Sequence, residues 1–178
     1  MPLTLRTSPR FALIALAVLA AALAGRLHAA PDAARFEDAR LDRLAGRWNV
    51  ARTIRGEVVR NSLDAEWVLQ HRFLRLHYTD PARPPAYEAM VFMGWNRERG
   101  EYVVHWIDAF GGDFSETLGH GRAEGDSIVL LFHYPSGDFR NTYRWWPGRG
   151  EWTSRGESQD STGAWRPFMS DRFTRPGR

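Results

Sequence analysis

The sequence predicts an all-β protein: an up-and-down antiparallel β-barrel of about ten strands with one short N-terminal helix. Three observations predict it. Turn signals recur at Asn96 (NRERG), Phe110 (FGGD), Ala123 (AEGD), Pro135 (PSGD), Pro147 (PGRG) and Asp160 (DSTG), at intervals of 12 to 14 residues. Each interval holds one strand of about eight residues, and such even spacing is that of a meander. Within segments the side chains alternate: FRNTYRWW sets Phe139, Asn141, Tyr143 and Trp145 against Arg140, Thr142, Arg144 and Trp146, an inner and a mostly polar outer face. Finally, one stretch alone has a convincing helical pattern.

The first thirty residues stand apart. Arg6 and Arg10 precede the apolar run FALIALAVLAAALA, which is followed by Gly25, Arg26 and LHAAP. This is the layout of a secretory signal peptide cleaved after Ala29 or Ala30. The run is shorter than the roughly 20 residues needed to span a bilayer core. The expected organisation is therefore a leader over 1–30 and a single barrel domain over 31–178. The expected location is periplasmic or secreted, with no stable membrane insertion once the leader is removed.

After the leader and a short tether, AARFEDARLDRLAG reads as a helix of two or three turns. Phe36, Leu41 and Leu44 share one side and Gly46 is the stop. RWNVARTIRG, SLDAEWVLQ, HRFLRLHYT and PAYEAMVFMGW supply the first four strands, and the turn-delimited segments supply the rest. A closed barrel is preferred to a sandwich because consecutive hairpins give an up-and-down order and closure removes sheet edges. SIVLLFHY is apolar on both faces, so its outer face needs a cover, either the helix or a second copy of the chain in a homodimer.

Composition excludes several chemistries. The 24 basic residues are all arginine and face 21 acidic ones. Loss of Arg6, Arg10 and Arg26 with the leader leaves 21 of each sign, so the basic pI gives no reason to expect nucleic-acid binding. The absence of lysine and cysteine removes lysine catalysis, thiolate chemistry, disulfides and cysteine-bound metals. The 8 tryptophans all follow the leader and supply much of the core.

The segment LDRLAGRWNV resembles the opening of lipocalin-type barrels, a short helix running into Gly46-x-Trp48. In such barrels the tryptophan closes the floor and an arginine from the last strand packs over it. The resemblance implies barrel closure by Gly46, Trp48 and Arg172, the last in FMSDRFTR. LAGRW, LQHRFLRLHY, YEAMVFMGWNRERGEYVVHWID and SDRFTR together resemble a family of bacterial proteins defined by domain of unknown function 1579, with a lipocalin-like barrel. The likeness covers nearly all of the chain after the leader. It implies a fold and brings no catalytic residues with it. The glycine-rich first strand of haem-binding nitrobindin-like barrels is missing.

Candidate catalytic groups mostly dissolve on inspection. His105 and Asp108 are three apart on a strand and point to opposite faces, and Asp108 at the strand end is suited to capping the following turn. His71, His77, His120 and His133 have no metal-ligand spacing, and no metal site is expected. Asp64 and Glu66 share a face with Arg72 and Arg75 nearby, the pattern of a charge ladder. GESQDSTG lacks a nucleophile elbow and GHGRAEG lacks the context of a phosphate loop.

The aromatic residues are the positive signal. Some are expected to line a cavity for a small apolar or aromatic ligand, oriented by a few polar groups. The candidates are Trp67, Trp106, Tyr143, Asn141, His133 and His105, with Trp106 preferred to His105 as the inward-facing residue of its strand. The sequence offers a container and no reactive constellation, so ligand binding without a cofactor ranks ahead of catalysis. The alternatives are a haem-dependent isomerase-like enzyme or small hydrolase using a pocket histidine, and an interaction module using the SIVLLF face.

Overall fold

In the computed structural model the described residues are 35–115 and 117–177. The leader expected over 1–30 lies outside them. Among the described residues no helix is long and apolar enough to cross a membrane.

The chain forms a closed antiparallel barrel of ten strands. They are β1 (Gly46–Ile54), β2 (Glu57–Val68), β3 (Phe73–Thr79), β4 (Glu88–Asn96), β5 (Glu101–Asp108), β6 (Gly119–Glu124), β7 (Ser127–Tyr134), β8 (Gly137–Trp146), β9 (Glu151–Gln159) and β10 (Trp165–Thr174). Each strand pairs with its chain neighbours, and β1 closes on β10 through a register that sets Arg52 opposite Asp171. A 3₁₀ turn, Gly112–Phe114, lies between β5 and β6.

Two elements differ from the sequence expectation. The helix α1 is short, Ala39–Leu44, because Asp38 caps it by accepting from the amides of Arg40 (2.7 Å) and Leu41 (3.1 Å). Phe36 thus precedes the helix rather than belonging to it. Strand β2 begins at Glu57 rather than Ser62, because Arg55 and Gly56 take φ of 52° and 83°. Two successive positive φ values make the tight hairpin turn that matches strand twist.

The two ends of the barrel differ. The β1 start, the β2–β3, β4–β5, β6–β7 and β8–β9 turns and α1 gather at one end, which is closed. Leu41 and Leu44 of α1 are 0% exposed and join Trp48, Leu63, Leu74, Met93, Tyr102, Trp152 and Phe173 in one core cluster. Buried aromatic side chains of this size each remove some 150–250 Å² from water. The opposite end carries the longer loops, and there the partly buried inward rings of Tyr87, Trp106, Tyr134 and Phe139 lie beside the fully buried Tyr78 and Phe132.

Closure involves a different arginine from the one expected. The Trp48 indole donates to the Leu44 carbonyl (2.7 Å), and the guanidinium of Arg175, not Arg172, lies 3.6 Å from its ring centroid. Arg175 also donates to the carbonyls of Arg43, Ala45 and Arg47, so it serves the end of α1 as well. Arg172 faces outward and pairs with Glu151 (2.7 Å). The cause is strand alternation: Asp171 and Phe173 are buried, so Arg172 between them must point out. Gly46 is the complement of this closure. It has φ of 102°, and a Cβ there would lie 2.5 Å from Arg175 Nη1.

The outer residues of β7 are flanked, not capped by the helix. Val129 lies between Arg122 and Thr142, and Leu131 between His120 and Arg140, on the neighbouring strands. Both are partly exposed.

Candidate functional site

Alternation from Trp48 determines what the interior contains. Trp48, Val50 and Arg52 share the inner face of β1, so the third inward position carries a charge. On β10 the same rule brings Met169, Asp171 and Phe173 inward. Direct pairing of Arg52 with Asp171 across the closing seam gives a bidentate ion pair, Nε to Oδ1 at 2.8 Å and Nη2 to Oδ2 at 2.9 Å. Ser154 of β9 adds a hydrogen bond to Asp171 Oδ2 at 3.0 Å. Burial alone would depress the Arg52 pKa, but the hydrogen bonds and charge of Asp171 outweigh it and raise it.

Aromatic rings enclose the Arg52 guanidinium. It lies 5.6 Å from the ring centroid of Tyr78 and 5.5 Å from that of Tyr87, a cation–π arrangement. Tyr87 is positioned by Asp80, which accepts from its amide at 2.7 Å at the end of the β3–β4 loop. Tyr78 stacks on Trp106 at 5.9 Å and shares a hydrogen bond of 3.1 Å with Tyr143. Burial pushes the Tyr78 phenol well above its ordinary pKa, with Tyr143 and Asp171 adding to it. Burial also raises Tyr143, although the hydrogen bond from Tyr78 opposes the shift. Both phenols are held neutral.

Asn141 of β8 also faces inward and is 1% exposed, yet neither Oδ1 nor Nδ2 has a hydrogen-bond partner. An orphaned buried amide costs about 1–3 kcal/mol, so native proteins rarely leave one without a use. Trp152 Nε1 is likewise buried without a partner, in the closed half.

The sequence candidates divide clearly. Trp106, Tyr143 and Asn141 face the interior. Trp67 lies at the closed end instead, donating to Asp42 of α1 at 2.9 Å and stacking on His71 at 3.9 Å; it belongs to the floor. His105 is exposed on the outer face of β5. His133 is exposed on β7 and paired with Asp138 at 2.8 Å. Both are outward because their neighbours Val104 and Phe132 are buried inward, so neither reaches the interior. An interior haem would find no ligand in either.

The other chemistry-bearing groups are occupied structurally. Asp108 accepts from the Phe110 amide at 3.0 Å and from the Trp106 indole at 3.2 Å, capping the turn and fixing the ring. Glu66 pairs with Arg75 at 2.7 Å and Asp64 with Arg47 at 3.8 Å on the outer face. His77 and His120 are outward and paired with Glu88 and Glu101. Among the described residues no three His, Asp or Glu side chains are grouped to hold a metal ion. A surface recess of about 500 Å³ lies at the closed end, lined by Phe36, Asp38, Arg40, Trp95, Arg97 and Tyr102. Its Asp38 and Arg40 already serve the helix cap and the Gly125 carbonyl.

Sequence reading missed Arg52, Asp171, Ser154, Tyr78 and Tyr87. The signal for Arg52 was present, since it shares parity with Trp48 and Val50. Asp171 stands in the same relation to Phe173.

A closed ten-strand barrel with an aromatic interior and a helix across one end fits a calycin-like fold. Residues 34–175 match the family described as "Protein of unknown function (DUF1579)", and the chain belongs to that family. A comparison with curated proteins gives no match.

Proposed function

We propose that this protein is an exported carrier or sensor that binds one small, largely apolar ligand in the half of its barrel away from α1. The observation that carries the reading is the unpartnered amide of Asn141, 1% exposed on the inner face of β8. Around it the polar groups are paired: Arg52 with Asp171, Ser154 with Asp171, and Tyr78 with Tyr143. Tyr87, Trp106, Tyr134 and Phe139 surround the mouth with partly buried rings, the aromatic lining usual in small-molecule sites.

The chemistry favours binding over turnover. Ser154 has Asp171 as its acceptor and no histidine beside it, so the base that a nucleophile requires is missing from this cluster. Asp171 is committed to Arg52.

The reading predicts a trade of stability for binding. Asn141→Leu removes the orphaned amide at similar volume and should raise the stability of the empty protein by about 1–3 kcal/mol. Urea unfolding measures this, and native mass spectrometry of the secreted protein measures ligand retention. Wild type should carry a small molecule that Asn141→Leu has lost. A variant that is both less stable and equally loaded would sink the reading.

A further inference from the structure

Asn141 also says which chemical class of ligand the barrel takes; this rests on the binding reading above. We infer that the ligand is a flat, uncharged, mostly apolar molecule with a hydrogen-bond donor and acceptor side by side on one edge, as in a lactam or a primary amide, and that this edge pairs with Asn141.

The amide fixes the edge. A carboxamide presents one acceptor oxygen and a donor NH₂ in one plane, and at Asn141 both are buried and without partners. A ligand with an acceptor alone would satisfy Nδ2 and leave Oδ1 orphaned, and a donor alone would do the reverse. A cis-lactam or amide edge satisfies both through two parallel hydrogen bonds.

The charges exclude an ion. Arg52 and Asp171 are the buried ion pair of the interior and neutralise each other through two hydrogen bonds, with Ser154 on the same carboxylate. An anionic ligand would enter without a free counter-charge, and a cationic one would find a carboxylate only at the mouth, in Asp108, so that its charge would be desolvated further in. A neutral ligand avoids that cost.

The neighbouring backbone leaves room that side chains alone occupy. Gly156 of β9 is directly across from Asn141. Phe139 and Met169 fill the volume in front of it, so that a Cβ at Gly156 would lie 2.8 Å from Phe139 Cζ and 2.9 Å from Met169 Cγ. Phe139 is partly buried and meets the exposed Phe168 edge-on at 5.8 Å. The β9–β10 register shifts between Pro167 and Met169 at this point. Bulges recur beside functional sites because they re-aim side chains, and methionine repacks readily. Met169 and Phe139 lie over Gly156, and the inference requires the flat ligand to displace them.

Two fluorescent probes of one ring system, differing by a single N-methyl group, test the class. 2-Quinolone carries the N–H and C=O edge, while N-methyl-2-quinolone has the donor blocked. Wild type should bind 2-quinolone at least tenfold more tightly, and Asn141→Leu should bind the two equally, near the weaker affinity. Equal binding of both probes by wild type would overturn the donor–acceptor edge while leaving a binding cavity intact. A preference retained in Asn141→Leu would overturn the role of Asn141. Failure of wild type to bind either probe would overturn the edge and the binding reading together. The comparison on wild type stands without the variant, so a misfolded Asn141→Leu would not protect the inference.

Discussion

At the scale of single residues, the molecule separates charges that hold the fold from charges that decorate it. Arg52 and Asp171 are 7% and 4% exposed, and loss of one partner strands the other in the interior. Asp171→Asn should therefore destabilise by about 3–5 kcal/mol in urea unfolding. The double variant Arg52→Met/Asp171→Leu should recover most of that loss, since apolar replacements of a buried pair are often neutral or better. A double variant as unstable as the single one would show that the pair itself is essential to the fold. Arg175 and Arg172 offer a second contrast. Arg175→Ala removes the cover over Trp48 and three carbonyl bonds and should cost about 2–3 kcal/mol, whereas the exposed Arg172→Ala should stay within about 0.5 kcal/mol. The opposite order in thermal unfolding would restore Arg172 as the closing residue.

At the scale of elements, α1 shows how a six-residue helix can matter. It is too short to be stable alone, so its persistence depends on Asp38 and on Leu41 and Leu44. Asp38 accepts from two helix amides and from the Tyr102 hydroxyl at 2.5 Å. Asp38→Ala should cost about 2 kcal/mol, the upper range for an N-cap, and the loss should appear as earlier amide exchange around α1. The strands were largely legible because turn spacing and alternation are local signals. The start of β2 was not, because Val58 and Val59 are both exposed, at 64% and 41%, and so give no alternation. The helix was overextended because Phe36 fits its apolar face yet reaches the floor from outside it. The SDRFTR motif points to Arg172, whereas parity with the inward Phe173 points to Arg175. The site was less legible than the fold. Trp106, Tyr143 and Asn141 followed from alternation, but the pairing of Arg52 with Asp171 depends on barrel closure, which joins residues 119 positions apart.

At the scale of the whole molecule, one end of the barrel is closed by α1 and its packing, and the other carries the longer loops and a set of partly buried rings. Tyrosine titration reports on both ends. All 5 tyrosines follow the leader, and burial raises the pKa of Tyr78, Tyr87, Tyr102, Tyr134 and Tyr143 alike. A folded-state pKa raised above the unfolded value means that the native state retains protons the unfolded chain releases. Stability is thus fully present below pH about 10 and falls as pH rises beyond it. Absorbance at 295 nm should show little phenolate at pH about 10 and a cooperative rise on alkaline unfolding. A normal titration of several tyrosines in the folded protein would contradict the packing described here.

The central claim is that the half of the barrel away from α1 admits a small apolar molecule, and a titration with N-phenyl-1-naphthylamine tests it most directly. This neutral probe fluoresces in apolar surroundings. Wild type and the surface variant Val58→Asp should each bind one molecule per chain, and Met169→Trp, which overfills the mouth, should bind at least tenfold more weakly. Equal binding by all three proteins, or none by wild type, would contradict the claim.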